Sequence, residues 1–262
     1  MNPPRLMGIV NATPDSFSDP QVPKDLSGLV ERAREQLAAG AALIDVGGES
    51  GRTDTEAVPV EEEIVRVVPL VERLSGEGVT VSVDTWRAPV ARAALDAGAA
   101  MINDVSGLSD PKVADACATA GAALVITHTR VPPKTKGFPA YADVVEDVRT
   151  FLQERAEEAR ARGVTDEQLV FDPGIDLAKT PAESVEVLRR LPEVSELGRP
   201  PSDRRAGTLA AVGAAVDGGA AILRVHDVAD ARDYLAVRAA LRGETAVGEE
   251  LRLDPGLRRE RV

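Results

Sequence analysis

At 262 residues, 44% hydrophobic and 28% charged, the chain is long enough for one α/β domain and apolar enough to bury a sizeable core. Its formal net charge of −12, with no basic run to reverse it, sets it against a phosphate backbone or an anionic bilayer, so nucleic acid and membrane surfaces are poor partners. One cysteine, Cys117, forms no intrachain disulfide, no apolar run approaches the ~20 residues of a membrane span, and the start Met1-Asn2-Pro3-Pro4-Arg5 lacks a signal-peptide layout; the cytoplasm is the expected location.

Short apolar runs alternate with amphipathic stretches along the chain. Residues 6–10 read as a strand. Residues 26–39 carry Leu26, Leu29, Val30, Ala33 and Leu37 at a helical period, and Gly40 stops them. A strand over 42–46 precedes a helix over 60–74, whose Ile64, Val67, Val68 and Val71 share a face. The strand 79–83 is followed by a helix that enters through Pro89, runs to Asp96 and stops at Gly98. Further strands are expected over 100–102, 123–127, 169–171 and 220–225. The remaining helices are 111–120 with Asp110 as N-cap, 144–162 ended by Gly163, 181–191 capped by Thr180, 204–216, and 228–241.

Strict βα alternation with apolar strands predicts a parallel sheet buried on both faces. A doubly wound open sheet and a closed barrel share that alternation. Polar residues follow strand after strand: Asn11, Asp45 to Glu49, Asp84, Asn103-Asp104, His128, Asp172 and His226-Asp227. A barrel gathers all those strand ends at one mouth, so a TIM-type (β/α)8 barrel over residues 1–242 is the predicted fold, with 243–262 as a polar tail. The tally is uneven, with seven strands against eight helices. Residues 192–203, where a seventh strand belongs, hold no apolar run. Twelve residues at ~3.3 Å each reach ~40 Å, enough to cross a barrel but without side chains to fill a strand slot.

Six segments, each at the end of a predicted strand, carry a resemblance. They are Met7-Gly8-Ile9-Val10-Asn11-Ala12-Thr13-Pro14-Asp15-Ser16-Phe17-Ser18-Asp19, Ile44-Asp45-Val46-Gly47-Gly48-Glu49-Ser50, Val81-Ser82-Val83-Asp84-Thr85, Ile102-Asn103-Asp104-Val105-Ser106-Gly107, Asp172-Pro173-Gly174-Ile175 with Lys179-Thr180-Pro181, and Arg224-Val225-His226-Asp227. Each is weak alone; together and in order they resemble the dihydropteroate synthases. The resemblance implies a pterin-binding barrel that joins a pterin methyl diphosphate to 4-aminobenzoate, releasing diphosphate with the help of Mg2+.

By the same resemblance Asn11 lies at the metal and diphosphate, where an amide oxygen suits a hard ion; without the flanking motif it would read as an Asx turn. Asp84, Asn103 and Asp172 match pterin-reading positions, since a buried carboxylate can grip an amidine-like N–H edge. Taken singly, such residues would read as helix N-caps. Arg224 and His226 match the diphosphate seat, beside the start of the following helix. Arg52 is kept in the loop after the second strand. His128 matches a position near the mouth, with contact to ligand left open, and Cys117 reads as a small core residue. The resemblance also implies a homodimer through the last helices, roughly 204–241.

Three departures stand out. The family's Glu-Ser-Thr-Arg-Pro reads Glu49-Ser50-Gly51-Arg52-Thr53, and its Gly-Phe-Gly-Lys-Thr reads Asp176-Leu177-Ala178-Lys179-Thr180. The family's seventh strand and its Ser-Arg-Lys loop have no counterpart, and Lys179 aligns with a different lysine. A synthase with strongly impaired turnover and surviving pterin affinity is the expectation. A non-catalytic relative that binds a pterin or a partner is the alternative. A pterin-dependent methyltransferase barrel is disfavoured by the Thr13–Asp19 run and by Arg224 with His226.

Overall fold

The computed structural model describes residues 4–13, 25–49, 57–175, 177–190 and 212–245. Among them run seven strands: β1 Arg5–Asn11, β2 Leu43–Gly47, β3 Val81–Asp84, β4 Met101–Asp104, β5 Ala123–Thr127, β6 Leu169–Asp172 and β7 Ile222–Val225. The helices are α1 Leu26–Ala38, α2 Val60–Gly76, α3 Ala88–Asp96, α4 Lys112–Ala120, α5 Val144–Ala161, α6 Pro181–Arg189, α7 over 212–217 and α8 Val228–Leu241. Every strand pair is parallel, in the order β6-β5-β4-β3-β2-β1-β7.

Side chains on a strand alternate between faces, and here the two faces bury different things. One face packs Ile44, Val46, Val81, Val83, Ile102, Leu124 and Ile126 against Val30, Ala33, Val67, Leu70, Ala91, Val113 and Cys117 of the helices. The other face is the inside of the curl. There Met7, Leu43, Met101 and Val125 form a second cluster, against which Val170 of β6 and Ile222 of β7 also pack. Both outermost strands reach this cluster, so the sheet curls as a TIM-type barrel does. Among the described residues β6 and β7 do not pair with each other, so the seam falls where the sequence lacks a strand.

Strand and helix positions follow the local signals to within about two residues. Thr180 forms a capping box with Glu183, as its place before α6 predicts. Asp110 is not the N-cap residue of α4, because Pro111 takes that place; Asp110 Oδ1 still accepts from the Lys112 N–H at 3.1 Å. Burial on both faces fails for β6, whose residues are only half-buried and whose Phe171 is exposed. The segments 192–203 and 246–262, and the start of the expected helix 204–216, lie outside the described residues. No helix of the described residues is long and apolar enough to cross a membrane.

Candidate active site

One step of two residues up the inner face turns the apolar layer polar. Leu43 is followed by Asp45, Met101 by Asn103, Val125 by Thr127, Val170 by Asp172 and Ile222 by Arg224. Register sets Asn11 beside Gly47, Gly47 beside Asp84, and Asp84 beside Asn103. The strands therefore deliver these residues to one mouth without help from loops.

Asp45 is the hub. It is fully buried, and its Oδ2 accepts both from Asn103 Nδ2 at 3.1 Å and from Arg224 Nε at 2.7 Å. Its Oδ1 is buried and meets no hydrogen-bond donor among the described residues. Arg224 reaches on with Nη2 to Asp84 Oδ2 at 3.1 Å, so one guanidinium bridges two carboxylates. Burial opposes the charge on Arg224, but Asp45 and Asp84 outweigh it and raise the guanidinium further. Burial, then the charge of Asp45, raises Asp84 to about 7 despite Arg224. Asp84 thus sits at the edge of ionisation near neutral pH, a poise typical of working sites. It does not cap a helix, for α3 begins at Ala88 behind Arg87.

Asn11 lies exposed at the end of β1. A Cβ on Gly47 would come 3.1 Å from Asn11 Oδ1 and 3.9 Å from Asp84 Cβ, so the bare Gly47 keeps these two side chains as neighbours. His226 is exposed at the rim, one residue before Asp227, the cap residue of α8. Partial desolvation, then the charge of Arg224, lowers its imidazole below the ordinary histidine range. Asp172 ends β6, half-buried. Its Oδ1 accepts the Gly174 N–H at 2.7 Å, a local turn rather than a helix cap. Its charge is felt by both Arg224 and Lys179. Arg52 lies outside the described residues.

His128 is not at the mouth. It is fully buried, with Nε2 at 2.8 Å from Asp147 Oδ1 and Nδ1 at 2.8 Å from Lys179 Nζ, so both ring nitrogens are occupied by protein. Helix α5, which supplies Asp147, and the turn carrying Lys179 close over it. The end of β2 is tied separately. Arg87 pairs with Glu49 at 2.8 Å and with Glu63, and Glu49 Oε1 accepts the Val58 N–H at 3.2 Å. Asp104 serves its own loop, accepting from Ser106 N at 2.7 Å and Ser106 Oγ at 2.6 Å, and burial raises its carboxyl to about 6. Cys117 is a buried core residue, its thiol pushed up to about 12 by burial.

Motif reading singled out Asp84, Asn103 and Arg224, which the structure brings into one network. It assigned no role to Asp45 or Lys179. Asp45 stands in the second motif and as a charge within an otherwise apolar strand, but nothing local marks it as the hub.

The chain matches the pterin binding enzyme family over residues 7–202. It is 38% identical over 245 residues to the dihydropteroate synthase of Synechocystis, covering 85% of each protein. It is 41% identical over 254 residues to a Haloferax volcanii protein named as a bifunctional folylpolyglutamate synthase/dihydropteroate synthase; that match takes in 90% of this chain but spans only 30% of the longer protein. Among solved structures, the Burkholderia cenocepacia dihydropteroate synthase complexed with 7,8-dihydropteroate superposes with a TM-score of 0.83 at 38% identity, over 93% of each chain. A carboxylate-lined barrel mouth, six motifs in order and these likenesses converge: the chain belongs to the pterin-binding enzymes, and among them to the dihydropteroate synthase family.

Proposed function

We propose that the chain condenses 6-hydroxymethyl-7,8-dihydropterin diphosphate with 4-aminobenzoate, yielding 7,8-dihydropteroate and diphosphate for folate synthesis. The observation that carries this reading is the Arg224 guanidinium lying between Asp45 and Asp84, with Asn103 on the same Asp45 oxygen. Such a mouth offers acceptors for the N–H edge of a pterin and, beside them, a cation for a leaving anion. In this reading Asp84, Asn103 and Asp172 hold the pterin ring. Arg224 and His226, next to the N-terminus of α8, seat the diphosphate, and Arg52, which falls between β2 and α2 in the sequence, is a further substrate contact.

The aniline nitrogen attacks the methylene carbon as its bond to the diphosphate oxygen breaks. The oxygen keeps the electron pair, and the nitrogen gives up a proton. Arg224 works by opposing charge as it builds on the leaving oxygens, in a site already arranged for it. Holding the ring and the diphosphate together supplies the near-attack geometry.

Mg2+ prefers oxygen ligands and is commonly held by one or two protein groups plus substrate phosphates. The residues fit it: Asn11 offers an exposed amide oxygen next to Gly47 and Asp84, and would hold the ion. When bound, Mg2+ supplies charge neutralisation on the diphosphate.

The departures from the family weigh on rate more than on affinity. By the resemblance, the lysine of the family's Ser-Arg-Lys loop bonds the pterin ring and the threonine replaced by Gly51 puts a hydroxyl near the diphosphate and aminobenzoate; each loss removes about 1–3 kcal/mol of hydrogen bonding. Misplacing the aniline by ~1 Å costs about a hundredfold in rate. We therefore expect slow turnover and retained affinity for the pterin diphosphate. Calorimetric titration with that compound, alongside steady-state formation of dihydropteroate with both substrates and Mg2+, tests both halves. Binding without detectable product would favour a non-catalytic relative, and turnover typical of the family would mean that the Ser-Arg-Lys segment without a counterpart in this sequence is dispensable.

We also infer a cytoplasmic homodimer that pairs through the last helices. Val237 and Leu241 of α8, 60% and 84% exposed, offer it apolar surface. A monomer mass by light scattering at micromolar concentration would remove the dimer.

A further inference from the structure

Asp172 occupies an unusual place. Asp84 and Asn103 sit on strands laddered on both sides, whereas β6 pairs only with β5 among the described residues. Among the described residues, only one edge of that strand end is laddered.

Lys179, seven residues on, is fully buried. An ammonium has three donors. Here they meet His128 Nδ1 at 2.8 Å, the Gly174 carbonyl at 2.9 Å and the Leu177 carbonyl at 3.2 Å, with the His128 carbonyl at 3.4 Å. Since Lys179 donates to Nδ1, a neutral His128 carries its proton on Nε2 and donates it to Asp147. Asp147 is gripped in turn by Arg130 through two bonds of 2.9 and 3.0 Å.

The backbone between Asp172 and Lys179 is costly to hold. Gly174 has φ +65°, and a Cβ there would lie 2.1 Å from the His128 carbonyl oxygen. Ala178 has φ +52°, a left-handed conformation uncommon outside glycine. The turn is fastened at several points. Gly174 gives its N–H to Asp172 and its carbonyl to Lys179, the Asp172 carbonyl accepts from His128 N at 2.9 Å, and the Ala178 carbonyl accepts from Tyr141 Oη at 3.0 Å. Burial pulls Lys179 down to about 8, against the opposing charges of Asp172, Asp147 and Glu183.

We propose that Lys179, with His128 as its acceptor, is a positioning residue that fixes the turn after β6 and so holds Asp172 in its pterin-reading orientation. Its donors tie the turn to the end of β5 from within. The inference rests on the reading of Asp172 as a pterin contact, and the experiment separates the two.

A double-mutant cycle of Lys179→Met and Asp172→Asn, read by calorimetric binding of the pterin diphosphate to the full chain, is the test. Lys179→Met should weaken binding about tenfold in the wild-type background and less than about twofold in Asp172→Asn, because coupling within one network is non-additive. The KM for 4-aminobenzoate should stay within about twofold. An equal loss in both backgrounds, or wild-type affinity in folded Lys179→Met, overturns the proposal. If Lys179→Met does not fold, Tyr141→Phe releases the same turn more gently. It should weaken binding about threefold, again only where Asp172 is present; no loss, or an equal loss in both, overturns the proposal just the same. Unchanged affinity in Asp172→Asn alone would instead remove Asp172 from the pterin site, and this role with it.

Discussion

The two sides of the barrel mouth are built differently. On the side of β2, β3 and β4, register brings Asp84 and Asn103 level, with Asp45 two residues below on β2; Asp45 takes Asn103 and Arg224, and Arg224 goes on to Asp84. On the side of β5 and β6, the backbone itself needs holding, and a buried lysine with a buried histidine does it. Where the ladder supplies geometry, polar side chains are left to meet a ligand. At the last described strand, buried charge goes into the scaffold.

The sharpest way to break this contrast is at the hub of the laddered side. Asp45→Ala leaves Asn103 and Arg224 without their shared acceptor. It should cost about a hundredfold in kcat/KM for the pterin diphosphate, the size expected of misplacement by ~1 Å. A loss within about threefold, by steady-state kinetics, would make Asp45 a bystander.

Gly174→Ala attacks the edge side through its backbone. With φ +65° and a carbonyl oxygen 2.1 Å from the new Cβ, the turn must move. The strain should lower stability by about 1–3 kcal/mol and weaken pterin binding with it. Chemical denaturation and calorimetry read the two effects, and wild-type values for both would show the turn to be slack.

A smaller effect is linked to pH and comes from the laddered side. Asp84 has a folded pKa of about 7, above its ordinary 3.8. Between those values the folded state keeps a proton that the unfolded state has lost. The contribution of Asp84 to stability is thus complete below about pH 4 and is lost as pH rises through about 7. The melting temperature of Asp84→Asn relative to wild type should therefore climb by a few degrees from pH 4 to 8. A flat difference would mean that Asp84 is ionised throughout.

The smallest expected effect lies at the start of α6 on the edge side. Thr180→Ala removes the capping box of α6 and should cost about 1 kcal/mol of stability. Pterin affinity should stay unchanged if Lys179, not the helix start, holds the turn, and a parallel loss of affinity would give the cap a share in that work.

Much of this was legible in the chain. Gly98 and Gly121 end helices where the pattern predicts, and Thr180 with Glu183 announces α6. Asp84, Asn103 and Arg224 stand out because each closes or interrupts an apolar strand. Asp45 was less legible: one carboxylate within Leu43–Gly47 does not reveal that two donors from other strands will meet on its Oδ2. His128 stayed open in the sequence, because a histidine after a strand reads the same whether it faces the mouth or is buried against α5.

Period, caps and breakers act over a few residues, so the order of elements, the strand ends and the polar residue at each end follow from the chain alone. Which of those residues meet depends on curl and register between strands far apart in sequence. Arg224 touches Asp45 across 179 positions, and Lys179 finds His128 across 51. Local pattern carries no record of such contacts; they exist only once β7 has closed beside β1 and the turn after β6 has packed beneath α5.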